Sequence, residues 1–482
     1  MTKRRTKILA TLGPATDKPG MLEKIILAGV DVVRLNFSHG DHAEHEGRVT
    51  AVRTTAAKLG RHVGILVDLQ GPKIRLERFK NGKIELKEGD PFVLDTAMDP
   101  DGGTEQAVGV AYKELSNDVS GGDILLLDDG RIVLQVESVQ GTQVRCSVLT
   151  GGALSDKKGI NRQGGGLSAA ALTDKDREDI VMASQLDADY LAISFPRTAA
   201  DVIEARDLMQ AAGGDASIVA KIERAEALES LESIIAASDA VMIARGDLGV
   251  EIGDASLPPV QKHIITLART MNRVVITATQ MMESMIYNQI PTRAEVFDVA
   301  NSVFDGTDAV MLSAETATGK FPDKAVAAMV RICAEAEKQR LTTQSDHRLN
   351  TEFERIDEAI AMASMYAANH LGVKAIAALT ESGSTPLWMS RISSSIPIYA
   401  LTSHIKTRRK VTLYRGVYPL TFETVHTDHA KVNKEAIGEL VRCGEVQDGD
   451  LVIITKGDLM GVLGGTNAMK IVRVGDLVEP SS

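Results

Sequence analysis

Charged side chains that could handle a phosphate follow several short apolar segments of this sequence. The segment AKIE at 220–223 ends with a lysine and a glutamate two residues apart. A β-strand would place both on one face, because its side chains alternate. Asp247 follows the next apolar segment, within RGD at 245–247. Two carboxylates beside a lysine suit a Mg²⁺ that keeps open positions for substrate oxygens, so we expect Lys221 near a metal held by Glu223 and Asp247.

Phosphoryl transfer is the reaction that such a set supports. It needs in-line positioning and cations around the migrating group rather than covalent help from the protein. Arg34 stands in RLNFSH at 34–39, after the second apolar segment, and Arg75 follows the third. Together with Lys221 and the metal, these arginines would supply the cations.

Each of these residues also has an ordinary structural explanation. A Lys-x-Glu pair on a strand is usually part of one solvated face, and Arg-Gly-Asp is often a tight turn with a side-chain cap. Asn36 and Ser38 could satisfy backbone groups at a strand end, and Thr279 could pack as a small β-branched residue. The polar residues nevertheless fall together at the ends of successive strands, which favours a functional site.

The elements that must position these residues alternate between short apolar strands and longer helical patterns, such as 293–304 and 324–337. This alternation indicates βα units and a parallel sheet. Eight units suit a closed (β/α)₈ TIM barrel, whose chemistry lies at the carboxyl ends of the strands. The predicted strands are 7–13, 32–38, 64–69, 190–195, 217–223, 240–244, 274–279 and 309–313.

The barrel pattern is interrupted once and then followed by a separate α/β pattern. Between Leu69 and Leu172, alternating segments and turn signals predict a small all-β insertion that ends in a flexible triple glycine at 164–166. Residues 341–350 are predicted to form a linker. A helix at 356–371 and strands at 375–380, 397–402, 417–422, 451–455 and 470–474 follow. We predict a catalytic barrel at 1–70 and 170–345, an inserted domain at 71–169 and a regulatory domain at 346–482.

Composition excludes several classes of function. A net charge of −11 and an aromatic content of 4% argue against nucleic acid or a membrane surface as partner. The sequence contains no run of roughly 18 apolar residues, which is the length that a membrane-spanning helix needs. Three scattered cysteines without a CxxC motif indicate free thiols in a reducing cytoplasm. The basic start at 3–5 precedes an apolar run too short for a signal peptide, so we expect a first strand there.

Longer strings of this sequence resemble pyruvate kinases along all three predicted domains. They include ILATLGPAT, VVRLNFSHG, VAKIERAEAL, IARGDLGVEI, VVITATQMMESM and FDGTDAVMLSAETATGKFP. The resemblance is to the bacterial branch activated by sugar monophosphates or AMP. It implies that the inserted domain is a small β-barrel lid, that the C-terminal domain binds an effector, and that the protein is a cytoplasmic homotetramer in glycolysis. Its implied ligands are phosphoenolpyruvate or pyruvate, ADP or ATP, and Mg²⁺ or Mn²⁺.

The resemblance also implies individual roles. Lys221 matches the lysine that stabilises the phosphoryl group, and Glu223 and Asp247 match the metal carboxylates. Thr279 matches the threonine beside the enolate, with Ser313 and Glu315 in a proton relay. Substrate contacts are implied for Ala244, Arg245, Gly246 and Asp247, whose amides would receive the substrate carboxylate, as well as for Arg34, Lys221, Arg75 and Thr279. Nucleotide contacts are implied for Arg34, Asn36 and His39.

The sequence departs from the family pattern around potassium. Asn36, Ser38 and Asp68 match positions that bind K⁺ in relatives. Lys73 stands where many relatives have a glutamate, which changes the local charge by about two units. Its ammonium could occupy the place of K⁺, so we expect that K⁺ is not required. A lysine that some relatives have after Glu315 is also absent, which affects the expected nucleotide contact.

The predicted effector site lies in the C-terminal domain. The strand at 375–379 leads into a polar loop and a helix, a geometry that presents amides and hydroxyls to a phosphate. From the loop alone, a helix N-cap followed by proline is an equally good explanation. The resemblance favours the effector site, with a sugar monophosphate ahead of AMP and with 461–467 as a second effector loop. The residues concerned are Thr380, Ser382, Gly383, Ser384, Thr385, Gly464 and Gly465.

Two other functions remain as alternatives. A metabolite sensor could keep this fold without turnover, although the joint presence of Lys221, Glu223, Asp247 and Thr279 argues against it. A metal-dependent carbon–carbon lyase acting on pyruvate-like enolates would not need the Arg34 and Lys221 phosphate cluster, the insertion or the C-terminal domain.

Overall fold

The computed structural model describes residues 3–343, 352–423, 428–458 and 464–476. Two compact units account for the chain. Unit 1 comprises Met1–Val67, Leu186–Tyr190 and Ile265–Ser482, and unit 2 comprises Asp68–Gln185 and Leu191–Ile264.

Eight parallel strands form a closed barrel, as the alternating pattern predicted. Their order around the barrel is β1-β16-β15-β14-β13-β12-β3-β2. Each strand ends one or two residues before its predicted end, except β14, so most of the polar residues that follow lie in loops. The strands are β1 Lys7–Thr11, β2 Val32–Asn36, β3 Gly64–Asp68, β12 Tyr190–Ile193, β13 Ser217–Ile222, β14 Ala240–Ala244, β15 Val274–Ala278 and β16 Ala309–Leu312.

Helices follow most of these strands. Local signals define several ends: Asp41 caps α2 by accepting the Glu44 N–H, and Thr292 with Glu295 forms a capping box at α10. The helices are α1 Met21–Ala28, α2 His42–Lys58, α4 Asp174–Gln185, α5 Ala199–Ala211, α6 Glu226–Glu229, α7 Leu231–Ala237, α8 Arg245–Ile252, α9 Leu257–Thr270, α10 Arg293–Asp305, α11 Ala314–Ala317 and α12 Pro322–Ala336. Short 3₁₀ helices span Asp254–Ser256, Glu283–Ile286, Arg340–Thr342 and Val411–Leu413.

The insertion after β3 is an all-β domain around its own apolar core, as predicted. It contains β4 Lys83–Leu86, β5 Pro91–Asp95, β6 Ala107–Gly109, α3 Leu115–Asp118, β7 Ile124–Leu127, β8 Ile132–Gln140, β9 Gln143–Thr150, β10 Gly152–Ser155 and β11 Ile160–Arg162. These strands form a two-stranded sheet, β10-β4, and a six-stranded sheet, β11-β7-β8-β9-β5-β6. The expected closed β-barrel is not confirmed, because the short edge strands β6 and β11 pair with one neighbour each in this fully described segment.

The C-terminal region is a second α/β arrangement. Its helices are α13 Ile356–Leu371, α14 Ser384–Ser390, α15 Ile405–Lys410 and α16 His429–Arg442. Its strands are β17 Ala375–Leu379, β18 Ile398–Thr402, β19 Val417–Thr421, β20 Leu451–Gly457 and β21 Thr466–Arg473, in the order β19-β18-β17-β20-β21 with β21 antiparallel. All five predicted strands and the predicted helix are present. Most of the predicted linker and the residues 461–463 of the second effector loop lie outside the described residues.

Three further expectations concern the chain as a whole. The basic start leads into β1, and Arg5 is buried, where its guanidinium donates to the carbonyl groups of Glu337 and Thr342. All three cysteines are free thiols. None of the helices in the described ranges has the length and apolar composition needed to cross a membrane.

Candidate active site

A buried lysine surrounded by three oxygen atoms forms the centre of the site in unit 2. The Lys221 Nζ lies 3.0 Å from Glu223 Oε1, 3.2 Å from Asp68 Oδ1 and 2.6 Å from Ser194 Oγ. Lys221 stands on β13, and Glu223 follows that strand directly. Their contact confirms that both side chains lie on one face. Asp68 ends β3 and Ser194 follows β12, so three neighbouring strands contribute to the cluster.

Glu223 is almost fully buried, at 2% exposure. Burial raises the pKa of its carboxyl group, the Lys221 ammonium opposes this rise, and the charges of Asp247 and Asp68 add to it. Its Oε2 also accepts the Phe195 N–H at 2.8 Å. The site thus holds a carboxylate whose ionised form needs further positive charge.

Asp247 has a lysine partner as well. The Lys73 Nζ lies 2.9 Å from Asp247 Oδ1. Three carboxylates (Asp68, Glu223 and Asp247) therefore share two ammonium groups, which leaves one net negative charge. Carboxylate oxygens are hard ligands, and a cluster with more carboxylates than ammonium groups suits a divalent cation. Among the described residues, no three His, Cys, Asp or Glu side chains are arranged to hold a metal by themselves.

The residues 244–247 form the start of a helix. Ala244 ends β14, and Arg245, Gly246 and Asp247 are the first three residues of α8. The N–H groups of a first helical turn are not used by the helix's own ladder and favour anions. The Arg245 guanidinium is buried and donates to Gln261 Oε1 at 3.3 Å. This geometry agrees with the expected position of a substrate carboxylate.

In unit 1, the chain is strained directly after β15. Thr279 has a φ of 64° and Gln280 a φ of 52°, both in the left-handed region. A β-branched residue rarely adopts this conformation, which costs about 1–3 kcal/mol and is typical of functional sites. The Thr279 hydroxyl donates to the Ala278 carbonyl at 2.7 Å.

The segment after β16 contains the two residues predicted to relay a proton. Glu315 is buried, and its carboxylate accepts the Ser313 N–H at 2.7 Å and the Met282 N–H at 3.2 Å. Burial raises the pKa of this carboxyl group, and these N–H donors oppose the rise. The structure therefore brings Ser313 and Glu315 together and ties them to the loop that follows Thr279.

Arg34 belongs to the same unit. Its Nη1 donates to Thr11 Oγ1 at 3.2 Å, and Thr11 in turn donates to the Leu312 carbonyl at 2.9 Å. Asn36 ends β2 and accepts the Ser38 N–H at 3.1 Å on its side-chain oxygen. His39 is exposed, one residue further on.

Arg75 lies at the start of the inserted domain in unit 2. It forms an isolated β-bridge with Gly159, and its guanidinium donates to the Lys157 carbonyl at 3.0 Å. Its contacts are therefore within the insertion.

The predicted effector loop adopts the strand–loop–helix geometry. Gly383 has a φ of 83°, and its N–H donates to the Thr380 hydroxyl at 2.9 Å. The Ser382 and Ser384 hydroxyls are 2.8 Å apart, and α14 begins at Ser384. The Thr385 hydroxyl lies 2.7 Å from that of Thr466, just beyond Gly464 and Gly465, which joins the two predicted effector segments.

Sequence reasoning missed Ser194 and Thr11. Both stand at the carboxyl ends of barrel strands, the fourth and the first along the chain. The rule that identified Lys221 and Thr279 would have found them had it been applied to all eight strands. Glu251, discussed below, gave no such signal because it lies inside a helix.

Comparison with known proteins identifies the family. A model described as the pyruvate kinase barrel domain matches residues 3–326, and one described as the pyruvate kinase alpha/beta domain matches residues 358–472. The chain belongs to the pyruvate kinase family. The match covers the barrel, its insertion and the C-terminal sheet.

Similar proteins extend over nearly the same length. A pyruvate kinase II of Salmonella typhimurium is 56% identical over 98% of this chain and 99% of its own. A pyruvate kinase of Buchnera aphidicola is 55% identical over 98% of both chains. Among solved structures, a pyruvate kinase from Cryptosporidium parvum superposes with a TM-score of 0.89 at 35% identity, over 98% of this chain and 96% of its own.

Proposed function

We propose that this protein transfers the phosphoryl group of phosphoenolpyruvate to ADP, giving pyruvate and ATP, in glycolysis in the cytoplasm. The observation that carries the proposal is the Lys221 ammonium, held by Asp68, Glu223 and Ser194 at the carboxyl ends of barrel strands. A fixed, nearly desolvated cation stabilises a migrating phosphoryl group far better than a mobile surface lysine. The reason is that the cation is already in position, so neither it nor its surroundings must reorganise during the reaction.

Glu223 and Asp247 are the residues that would hold Mg²⁺ or Mn²⁺. Such an ion, when bound, would neutralise charge on the phosphate and on the enolate oxygen. Lys221 orients the phosphoryl group, and the first turn of α8, at 244–247, receives the substrate carboxylate. The Lys73 ammonium already contacts the Asp247 carboxylate at 2.9 Å, so it would share that carboxylate with a bound ion.

Thr279, Ser313 and Glu315 deliver the proton that converts the enolate into pyruvate. Support comes from the strained backbone at Thr279 and from the buried Glu315 carboxylate, which accepts the Ser313 N–H at 2.7 Å. Arg34 and Arg75 contact phosphate, and Arg34, Asn36 and His39 contact the nucleotide.

The enzyme works without K⁺. Asn36, Ser38 and Asp68 correspond to K⁺-binding positions, and the proposal is supported by Lys73, a positive charge where many relatives have a glutamate, although the residue that its ammonium contacts is Asp247 rather than one of these three. Activation is by a sugar monophosphate, with AMP as the second candidate, at the loop formed by 380–385 and 464–465. The hydroxyl groups and the left-handed Gly383 of this loop support it. The protein acts as a homotetramer.

A coupled assay for pyruvate tests the proposal. Phosphoenolpyruvate is supplied with Mg²⁺, with and without ADP, across a panel of sugar phosphates and AMP. Pyruvate formed only when ADP is present supports the kinase. No turnover under any effector would leave a metabolite sensor, and breakdown of a larger pyruvate-like substrate without ADP would indicate the lyase.

A further inference from the structure

The segment that leaves the inserted domain, residues 160–167, is held by side chains from the two segments that carry the proposed metal carboxylates. We call it the exit segment. It contains three consecutive glycines in the left-handed region, Gly164, Gly165 and Gly166, with φ between 80° and 96°. This backbone conformation favours glycine at all three positions, and a Cβ at the last two would meet the side-chain ends of Glu226 and Arg162. The segment can therefore change its backbone easily, and what holds it in place matters.

Glu251 makes three contacts that join separate parts of unit 2. Its Oε1 accepts from the Asn161 side-chain amide at 3.2 Å, and its Oε2 accepts the Ala225 N–H at 2.8 Å. Its backbone carbonyl accepts the Gly164 N–H at 3.0 Å. Glu251 is 5% exposed and Asn161 8%, so water does not compete strongly for these bonds.

Glu251 is connected to the segments that carry both proposed metal carboxylates. Ala225 comes two residues after Glu223. Glu251 itself lies one turn after Asp247 in the same helix, α8. One buried carboxylate thus fixes the backbone beyond Glu223, stands on the helix that carries Asp247 and binds the exit segment through Asn161.

Two neighbouring residues strengthen the connection. The Arg224 guanidinium donates to the Leu167 carbonyl at 3.0 Å, and Glu226 accepts the Gly166 N–H. Arg224 follows Glu223 directly, and Glu226 is the first residue of α6. A small cavity beside these residues is lined by Pro72, Lys73, Asn161, Leu167 and Glu251 among others.

We propose that Glu251 is a positioning residue that couples the exit segment of the inserted domain to the geometry of the Glu223 and Asp247 carboxylates. The inference rests on the proposed metal site. A cation that fixes these two carboxylates also fixes Ala225 and α8, and through Glu251 it reduces opening of the exit segment. By linkage, a well-ordered exit segment favours the carboxylate arrangement that binds the cation.

Hydrogen exchange with and without Mn²⁺ tests this coupling, and electron paramagnetic resonance of free Mn²⁺ measures binding separately. No substrate is present. In the unmodified protein, saturating Mn²⁺ should slow amide exchange at 160–167 by about threefold or more. Glu251→Gln should keep this protection. The glutamine side-chain oxygen can accept the Ala225 N–H, and its NH₂ group can donate to the Asn161 side-chain oxygen after the Asn161 amide flips by 180°. Glu251→Ala should lose the protection and bind Mn²⁺ about tenfold more weakly.

Asn161→Ala is the second variant and removes only the side-chain contact between Glu251 and the exit segment, while the Glu251 carbonyl can still accept the Gly164 N–H. It should bind Mn²⁺ within about twofold of the unmodified protein and still lose the protection, because the Ala225 contact remains. If Glu251→Ala does not fold, this variant decides alone. Metal-dependent protection that survives in Asn161→Ala or in Glu251→Ala would overturn the proposal. The proposal would also be overturned if Mn²⁺ bound to the unmodified protein without slowing amide exchange at 160–167.

Failure of the proposed metal site would look different. In that case Mn²⁺ would bind the unmodified protein and Glu223→Ala equally, or would bind neither of them. A purely structural role for Glu251 would also be distinct, because Glu251→Ala would then raise exchange at 160–167 by the same factor with and without Mn²⁺, and this outcome refutes the coupling.

Discussion

Replacement of Lys221 by methionine removes the central cation and leaves two buried carboxylates facing each other. Asp68 is fully buried and Glu223 is 2% exposed. Breaking a buried ion pair by removing one partner costs about 3–5 kcal/mol, which corresponds to a change of about 10²- to 10⁴-fold in the unfolding equilibrium. Lys221→Met should therefore be less stable than the unmodified protein in the absence of metal, and Mg²⁺ should restore part of the loss.

The pH dependence of this effect has a definite sign. Burial already raises the folded-state pKa of Glu223 above its unfolded value, and Lys221 opposes that rise. An acid with a raised folded pKa contributes stability at low pH that is lost as the pH rises through that pKa. Because the mutation raises this pKa further, the destabilisation should be larger at about pH 8 than at about pH 4.5, near the ordinary pKa of a glutamate. The double variant Lys221→Met/Glu223→Gln is the control and should recover most of the loss.

Urea unfolding followed by circular dichroism at the two pH values measures the stability. Turnover should fall by about 10³-fold or more, since a preorganised charge that faces the transition state is lost. Exchange of the methyl protons of pyruvate with deuterium should persist, because the proposed proton relay is intact. A variant as stable as the unmodified protein at both pH values, or one that keeps phosphoryl transfer within about tenfold, would contradict the role given to Lys221.

Four further outcomes are expected. Glu223→Ala should lose several orders of magnitude in turnover at ordinary Mg²⁺ with its circular dichroism unchanged, and near-normal turnover would remove Glu223 from the metal site. Thr279→Gly should raise stability by about 1 kcal/mol, because glycine tolerates a φ of 64°. It should also slow the exchange of pyruvate methyl protons more than Lys221→Met does, and an unchanged exchange rate would exclude a role for the Thr279 hydroxyl. Activity should be high in buffer free of K⁺ and NH₄⁺, whereas Lys73→Glu should create a K⁺ requirement; a rise of about tenfold on adding K⁺ to the unmodified protein would refute this. Ser382→Asp with Ser384→Asp should abolish activation by sugar phosphates and leave basal turnover, and a normal response would place the effector elsewhere.

The strand pattern alone indicated the barrel and the C-terminal sheet, because buried parallel strands appear as short continuous apolar segments, and it indicated the insertion through alternating segments separated by turn signals. The rule that chemistry gathers at strand ends also located Lys221, Glu223 and Thr279. These inferences needed only the period of the side chains and the order of the elements.

Closure of the inserted domain could not be predicted in the same way. Alternation identifies its strands but does not determine which edges pair, and the structure forms two sheets rather than a barrel. The strained φ values at Thr279 and Gln280 are likewise invisible in the sequence, since they are imposed by the surrounding fold.

Contacts between distant segments were decided only by the tertiary structure. Ser194 contacts Lys221, which is 27 residues away in the chain. Lys73 contacts Asp247, which is 174 residues away. Sequence periodicity describes neighbours along one element, whereas the charge balance of a buried site depends on which elements the fold brings together. For that reason the sequence could single out Lys221 and Glu223 as candidates, and the fold supplied their partners Ser194 and Asp68.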